Sequence, residues 1–200
     1  LSAQDAVSGV KDTFLALSTG VFALAPAPFT LTGADGARVV AFYSRDNVLN
    51  MEQVVSATIL LDATPPVSTA TIGIPLHVDS VGARYVTPAT PVAFSAQDAE
   101  AGGVAAGLDY VELSVDGAPY VRYASTLTFA EGRHTVLFRA VDLAGNVEQA
   151  RTLELRSDAT PPATALEPSG AFFTGDGRDY APAAFTYALT AQDPAVNAVA

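Results

Sequence analysis

The chain has 200 residues and a formal net charge of −11, with 21 acidic against 10 basic residues and no cysteine. Its few, scattered bases offer no basic stripe for nucleic acid. The lack of cysteine excludes disulfides and zinc sites built from thiolates.

The composition favours strands and turns. Fifteen Gly and 13 Pro are spread among many Ala, Val and Thr residues, a mixture typical of short strands rather than long helices. The longest apolar runs, such as "ATILL" at 57–61, fall far short of the ~20 residues that span a membrane. We therefore expect an all-β chain with no membrane span in this segment.

The first predicted strands lie in residues 1–66. Apolar residues alternate with other residues at Leu15 and Leu17, and again at Val40 and Phe42. The first pair aligns with Val111 and Leu113 further along the chain, so we predict a strand there although "AVSGVKDTFLAL" is the nearest candidate for a helix.

The middle of the chain carries the clearest alternation. About seven short stretches between turn signals place apolar side chains on one face and polar ones on the other, as in a two-sheet sandwich. The predicted inward-facing residues of four of these stretches are Val92, Phe94 and Ala96; Val111, Leu113 and Val115; Val136, Phe138 and Ala140; and Leu153 and Leu155.

Several motifs recur with a spacing near 96 residues. "DATPP" at 62–66 returns at 158–162, and "SAQD" at 2–5 returns at 95–98 and, as "TAQD", at 190–193. Such a period suits a whole sandwich domain of ~100 residues. We predict the C-terminal part of one module in 1–66, a complete module in 67–162, and the N-terminal part of a third in 163–200.

The stretch from Gly132 to Glu148, "GRHTVLFRAVDLAGNVE", and the "DATPP" joint resemble the bacterial Ig-like tandem repeats of cell-surface and secreted proteins. The resemblance implies tandem Ig-like or fibronectin-III-like β-sandwiches of about seven antiparallel strands each. It also implies an extracellular or cell-surface location in bacteria and a spacer or binding role, and it supplies no catalytic residues.

Two motifs have both a structural interpretation and a calcium interpretation. Asp142 and Asn146 bracket "LAG", where they either bond the backbone of a hairpin turn or serve as Ca²⁺ ligands. Asp62 and Asp158 open the two copies of "DATPP", in which the prolines predict a stiff connector. In the alternative, Asp158 joins loop acids such as Asp98 and Glu100 in a calcium-stiffened joint.

The leading functional hypothesis is a non-enzymatic structural or adhesive segment of a repetitive extracellular protein: a stalk, a filament or an adhesin shaft. Its partners would be neighbouring modules of the same chain, with head-to-tail self-association as a further option. The alternative is an accessory carbohydrate-binding or spacer module of a secreted glycosidase-type enzyme, which would bind surface glycans through exposed tyrosines. The candidate tyrosines are Tyr85, Tyr110, Tyr120 and Tyr123. No catalytic motif and no cofactor other than Ca²⁺ is indicated.

Overall fold

The computed structural model describes residues 2–18, 20–26, 28–170 and 172–193. Its regular elements are sixteen β-strands, and within the described ranges it contains no helix that could cross a membrane. The all-β sandwich prediction is confirmed. The strands fall into three groups that share no sheet: a first unit (10–61), a middle unit (67–157) and a last unit (163–192).

The first unit is a single four-stranded sheet with the order β2-β1-β3-β4. Its strands are β1 (Val10–Leu17), β2 (Ala23–Leu24), β3 (Gly36–Asp46) and β4 (Val55–Leu61). The predicted strand at Leu15 is present, but its predicted alignment is wrong by two residues. Leu15 lies opposite Phe42, as Leu113 lies opposite Phe138 in the middle unit. A shift of two keeps the side chains on the same face of the sheet.

The middle unit has two sheets, ordered β10-β9-β11-β12-β7-β6 and β5-β8. Its strands are β5 (Val67–Ile72), β6 (Leu76–Val78), β7 (Arg84–Val86), β8 (Val92–Gln97), β9 (Leu108–Val115), β10 (Val121–Arg122), β11 (Gly132–Asp142) and β12 (Arg151–Ser157). The pairing of β7 with β12 is parallel, which the sequence pattern did not indicate.

One apolar core joins the two sheets of the middle unit. Val92 and Phe94 of β8 pack against residues of β9, β11 and β12, and the Phe94 ring lies 5.1 Å from the Phe138 ring. Most of the inward positions predicted by alternation are buried, with Val136 and Ala140 0% exposed, whereas Ala96 and Val115 are partly buried against the core. Burial of this alternating face holds the two layers together.

The last unit consists of two separate two-stranded antiparallel sheets, β13-β16 and β14-β15. Its strands are β13 (Ala163–Pro168), β14 (Phe173–Gly175), β15 (Arg178–Tyr180) and β16 (Tyr187–Gln192). The β13-β16 pairing repeats that of β5 and β8. Leu166 lies opposite Leu189, as Ala70 lies opposite Phe94, and both leucines are exposed.

Candidate functional site: an acidic joint between units

The short linker between β4 and β5, residues 62–66, is bonded to loops of the middle unit. The carboxylate of Asp62 accepts a hydrogen bond from the Ala106 N–H at 2.5 Å. The Asn146 side-chain amide donates to the main-chain carbonyl of Asp62 at 3.1 Å. Because the Ala106 loop and the Asn146 turn both hold Asp62, the start of the linker is fixed to the unit that follows it.

The first unit holds the same linker from the other side. Asp35, in the turn before β3, accepts hydrogen bonds from the Ala63 N–H at 2.6 Å and from the Thr64 hydroxyl. The hydrogen bond from the Thr64 hydroxyl, followed by the one from the Ala63 N–H, holds the pKa of Asp35 below its ordinary value. A Cβ atom on Gly102 would overlap the carbonyl oxygen of Asp35, so the turn before β3 and the 102 loop are in direct contact.

Three carboxylates converge at this joint. Oxygen atoms of Asp62, Asp98 and Asp142 all lie within 4.8 Å of one another. Asp142 is only 1% exposed. One oxygen of Asp98, Oδ2, accepts from the Gly107 N–H at 2.7 Å, whereas Oδ1 is buried and has no hydrogen-bond partner among the described residues. A buried carboxylate oxygen without a hydrogen-bond partner is costly.

The turn after β11 holds Asp142 in place. The two carboxylate oxygens of Asp142 accept hydrogen bonds from the backbone N–H and from the side-chain amide of Asn146, each at 2.8 Å. Gly145 has a φ of +91°, which a residue with a side chain rarely adopts. The structural interpretation of "DLAGN" as an Asx-type hairpin turn is confirmed, and the same turn presents a carboxylate to the joint.

The structure places the predicted calcium residues in two groups. Asp98, Asp142 and Asn146 come together, whereas Asp158 and Glu100 are outside the cluster of three acids. Asp158 begins the next linker, where its N–H donates to the Val86 carbonyl and its carboxylate accepts from the Thr160 N–H.

Of the two aspartates that open the linkers, sequence reasoning chose Asp158 as the calcium candidate, but the one in the cluster is Asp62. The signal was present, because Asp62 is the residue that precedes Asp158 by one repeat period. Asp62 also lies before the first strand of the middle unit, whereas Asp158 lies after its last strand.

The first unit repeats two of the three carboxylates. Asp5 and Asp46 occupy the places of Asp98 and Asp142, and the two carboxylates are close enough to influence each other. Hydrogen bonds from the Ser8 hydroxyl and the Val7 N–H keep the pKa of Asp5 below its ordinary value, and the neighbouring Asp46 carboxylate opposes them weakly. The arrangement of two acids at one end of a unit therefore occurs twice in the chain.

The candidate sugar-binding tyrosines are covered by other side chains instead of forming a flat platform. Guanidinium groups lie over three of the rings, with distances to the ring centre between 3.7 and 5.3 Å. The covered rings are those of Tyr85, Tyr110 and Tyr120. The fourth, Tyr123, packs edge-on against Phe94 of the core.

His134 is the histidine with the most polar contacts. Its Nδ1 lies 2.8 Å from the Asp116 carboxylate and its Nε2 lies 2.9 Å from the Ala130 carbonyl. Burial disfavours the charged ring, but the hydrogen bonds to Asp116 and Ala130 outweigh it and raise the pKa of His134 above its ordinary value. Both nitrogens are engaged, which leaves neither free to accept a proton from a substrate.

Comparison of the chain with protein-family models and with curated proteins gave no match.

Proposed function

We propose that this chain is a non-enzymatic structural segment of a repetitive extracellular bacterial protein, in which sandwich units joined by stiff linkers form a stalk, a filament or an adhesin shaft. The linker at 62–66 carries the proposal, since hydrogen bonds from units on both sides hold it. Pro65 and Pro66 restrict its backbone further, and Pro66 is buried. A joint held in this way limits bending between neighbouring units, which is what a shaft requires.

We further propose that Ca²⁺ binds between Asp62, Asp98 and Asp142 and locks this joint. Two unit charges no more than 4.8 Å apart repel by roughly 3.5 kcal/mol or more at an effective dielectric constant of ~20. A divalent cation among the three acids would turn this repulsion into attraction. It would also give the buried Oδ1 of Asp98 a partner.

Calcium suits this site better than other common metals. Ca²⁺ takes six to eight oxygen ligands in a flexible arrangement, and water and backbone carbonyls can complete the set. Mg²⁺ demands a stricter octahedron and gives up its water reluctantly. Zinc prefers nitrogen and sulfur ligands, and the cluster contains carboxylates alone.

The test combines thermal unfolding with a distance measurement across the joint. Since the chain has no cysteine, one cysteine introduced on β4 and one on β10 can carry spin labels without interference. We expect calcium, compared with EDTA, to raise the melting temperature and to narrow the distribution of distances between the labels. Asp98→Asn should abolish both effects, and Glu100→Gln, which removes a nearby charge outside the cluster, should preserve them.

Two outcomes would count against different parts of the proposal. Identical melting temperatures in calcium and in EDTA would refute calcium binding at the joint. They would leave intact the proposal that hydrogen bonds and proline stiffen the linker. A broad distance distribution under both conditions would show a freely bending joint, and a shaft built from such units would be excluded.

A further inference from the structure

A small pocket on the outer face of the middle unit is lined by three arginines. The pocket has a volume of about 200 Å³, and Arg84 of β7, Arg133 of β11 and Arg156 of β12 line it. Leu155, which precedes Arg156, belongs to the apolar core, so Arg156 lies on the opposite face of the sheet. Pockets for drug-sized ligands measure ~300–1,000 Å³, so this one suits a smaller group.

Two of these arginines lie directly opposite each other in the sheet. Arg133 of β11 pairs with Arg156 of β12. Like charges at opposed positions destabilise a sheet. Within the described ranges none of the three arginines forms an ion pair, although acidic residues outnumber basic ones by 21 to 10 in the chain. An anionic ligand would relieve the repulsion between the opposed pair.

The Arg156 side chain is held in place while most of its donors stay available. Its Nη1 donates to the Tyr85 hydroxyl at 2.6 Å, and its guanidinium lies 5.3 Å from the centre of the Tyr85 ring. The Tyr85 hydroxyl in turn donates to the Asp79 carboxylate at 3.4 Å. A guanidinium has five N–H donors, and the bond to Tyr85 uses one of them. Because this cation is already oriented, a ligand loses less entropy on binding to it.

The neighbouring row of the same sheet presents an acceptor and a hydroxyl. Two residues along the strands from the opposed arginines, Thr135 lies opposite Glu154, and both line the pocket. Both are exposed. Two residues of a strand span roughly 7 Å. The pocket therefore offers positive charge in one row and an acceptor for hydroxyl groups in the next.

This layout selects among anionic ligands. The arginines attract a sulfate or phosphate group, but the Glu154 carboxylate repels it. An acidic peptide would bring further carboxylates towards Glu154. A hexuronic acid carries one carboxylate at one end of its ring, which suits a guanidinium, and hydroxyl groups at the other end, which can donate to Glu154.

We propose that this pocket binds a hexuronate residue of an acidic polysaccharide. The guanidinium groups of Arg133 and Arg156 bind the carboxylate, Arg84 adds a third positive charge, and Glu154 accepts hydrogen bonds from ring hydroxyls. The pocket lies on the solvent side of the sheet, so the polysaccharide can continue past it in both directions. The site would add adhesion to glycans to the structural role proposed above, and it does not depend on the calcium joint.

Titration calorimetry with short fragments of galacturonan, mannuronan and hyaluronan tests the proposal. The buffer contains EDTA, so that calcium cannot bridge carboxylates. We expect at least one fragment to bind, and Arg133→Gln to weaken this binding by more than about tenfold, because it removes a charge-assisted hydrogen bond. Arg178→Gln removes the same charge from an exposed arginine of the last unit and should leave the affinity unchanged. Arg133 is exposed too, so the variant should fold, and its melting temperature checks this.

The direction of the effect of Glu154→Gln separates a sugar site from a general attraction between charges. The variant replaces a charged acceptor with a neutral one and should weaken fragment binding by roughly fivefold. An unselective basic patch would instead bind anions more tightly once the negative charge is gone.

Several results would overturn the proposal. One is the absence of binding by all three fragments, and another is an equal loss of affinity in Arg133→Gln and Arg178→Gln. Tighter binding after Glu154→Gln, or binding of polyglutamate as strong as that of the best fragment, would show an unselective anion patch and would overturn it as well.

Discussion

Replacing Glu148 with alanine should separate the two sheets of the middle unit where β5 begins. Both carboxylate oxygens lie 3.0 Å from the Ser68 nitrogen, and one of them lies 3.1 Å from the Ala140 nitrogen. Ser68 and Ala140 are each 0% exposed, so both N–H groups would lose a charged acceptor in a buried place. At ~1.5–3 kcal/mol for each such bond, and with some water entering, we expect a loss of about 3 kcal/mol.

The loss of stability can be measured by thermal unfolding, with tyrosine fluorescence as the signal because the chain has no tryptophan. For a domain of about 100 residues, 3 kcal/mol corresponds to a fall in melting temperature of roughly 12–24 °C. Glu52→Ala is the matched control. The carboxylate of Glu52 is exposed and accepts one bond, from Ser44, so its loss should cost no more than ~0.5 kcal/mol. If Glu148→Ala costs under ~1 kcal/mol, or no more than the control, the tie between the sheets contributes little and the reasoning is refuted.

Two further predictions concern the joint and pH. Gly102→Ala should force the 102 loop away from Asp35 and shift a spin-label distance between the two units, whereas Gly103→Ala, with a similarly positive φ of +76° but open space around it, should not; equal shifts would contradict the contact. The raised pKa of His134 means that its ring stabilises the fold fully below its unfolded pKa of about 6.5 and loses this effect as pH rises through the folded-state value. The melting temperature of wild type should therefore fall, relative to that of His134→Gln, as pH rises from about 6.5 through the folded-state pKa of His134; parallel pH profiles would rule out the bond to Asp116.

Alternation along the chain was enough to predict the faces of the long strands. Apolar residues at every second position must face the core, and Val136, Phe138 and Ala140 are buried as expected. Relative positions of strands were harder to predict. The two-residue error at Leu15 arose because turns of different length in the two units leave the alternation unchanged.

The short strands β6 and β7 could not be read from the sequence. Three residues are too few for a periodic signal, and the parallel pairing of β7 with β12 depends on the tertiary fold alone. Part of the acidic joint was predictable, since Asp98 directly follows β8 and Asp142 is the last residue of β11, and both strands end on the same side of the unit. The repeat period marks Asp62 as the counterpart of Asp158, but choosing Asp62 over Asp158 required knowing that a linker packs against the unit after it.

The linker at 62–66 has a consequence for length. Asp62, Ala63 and Thr64 all take part in hydrogen bonds to one unit or the other, and Pro66 is buried, so little of the linker is left as slack. When linkers have a fixed length, each added unit lengthens the chain by a fixed amount. Selection could then set the distance between the two ends simply by adding or deleting whole repeats.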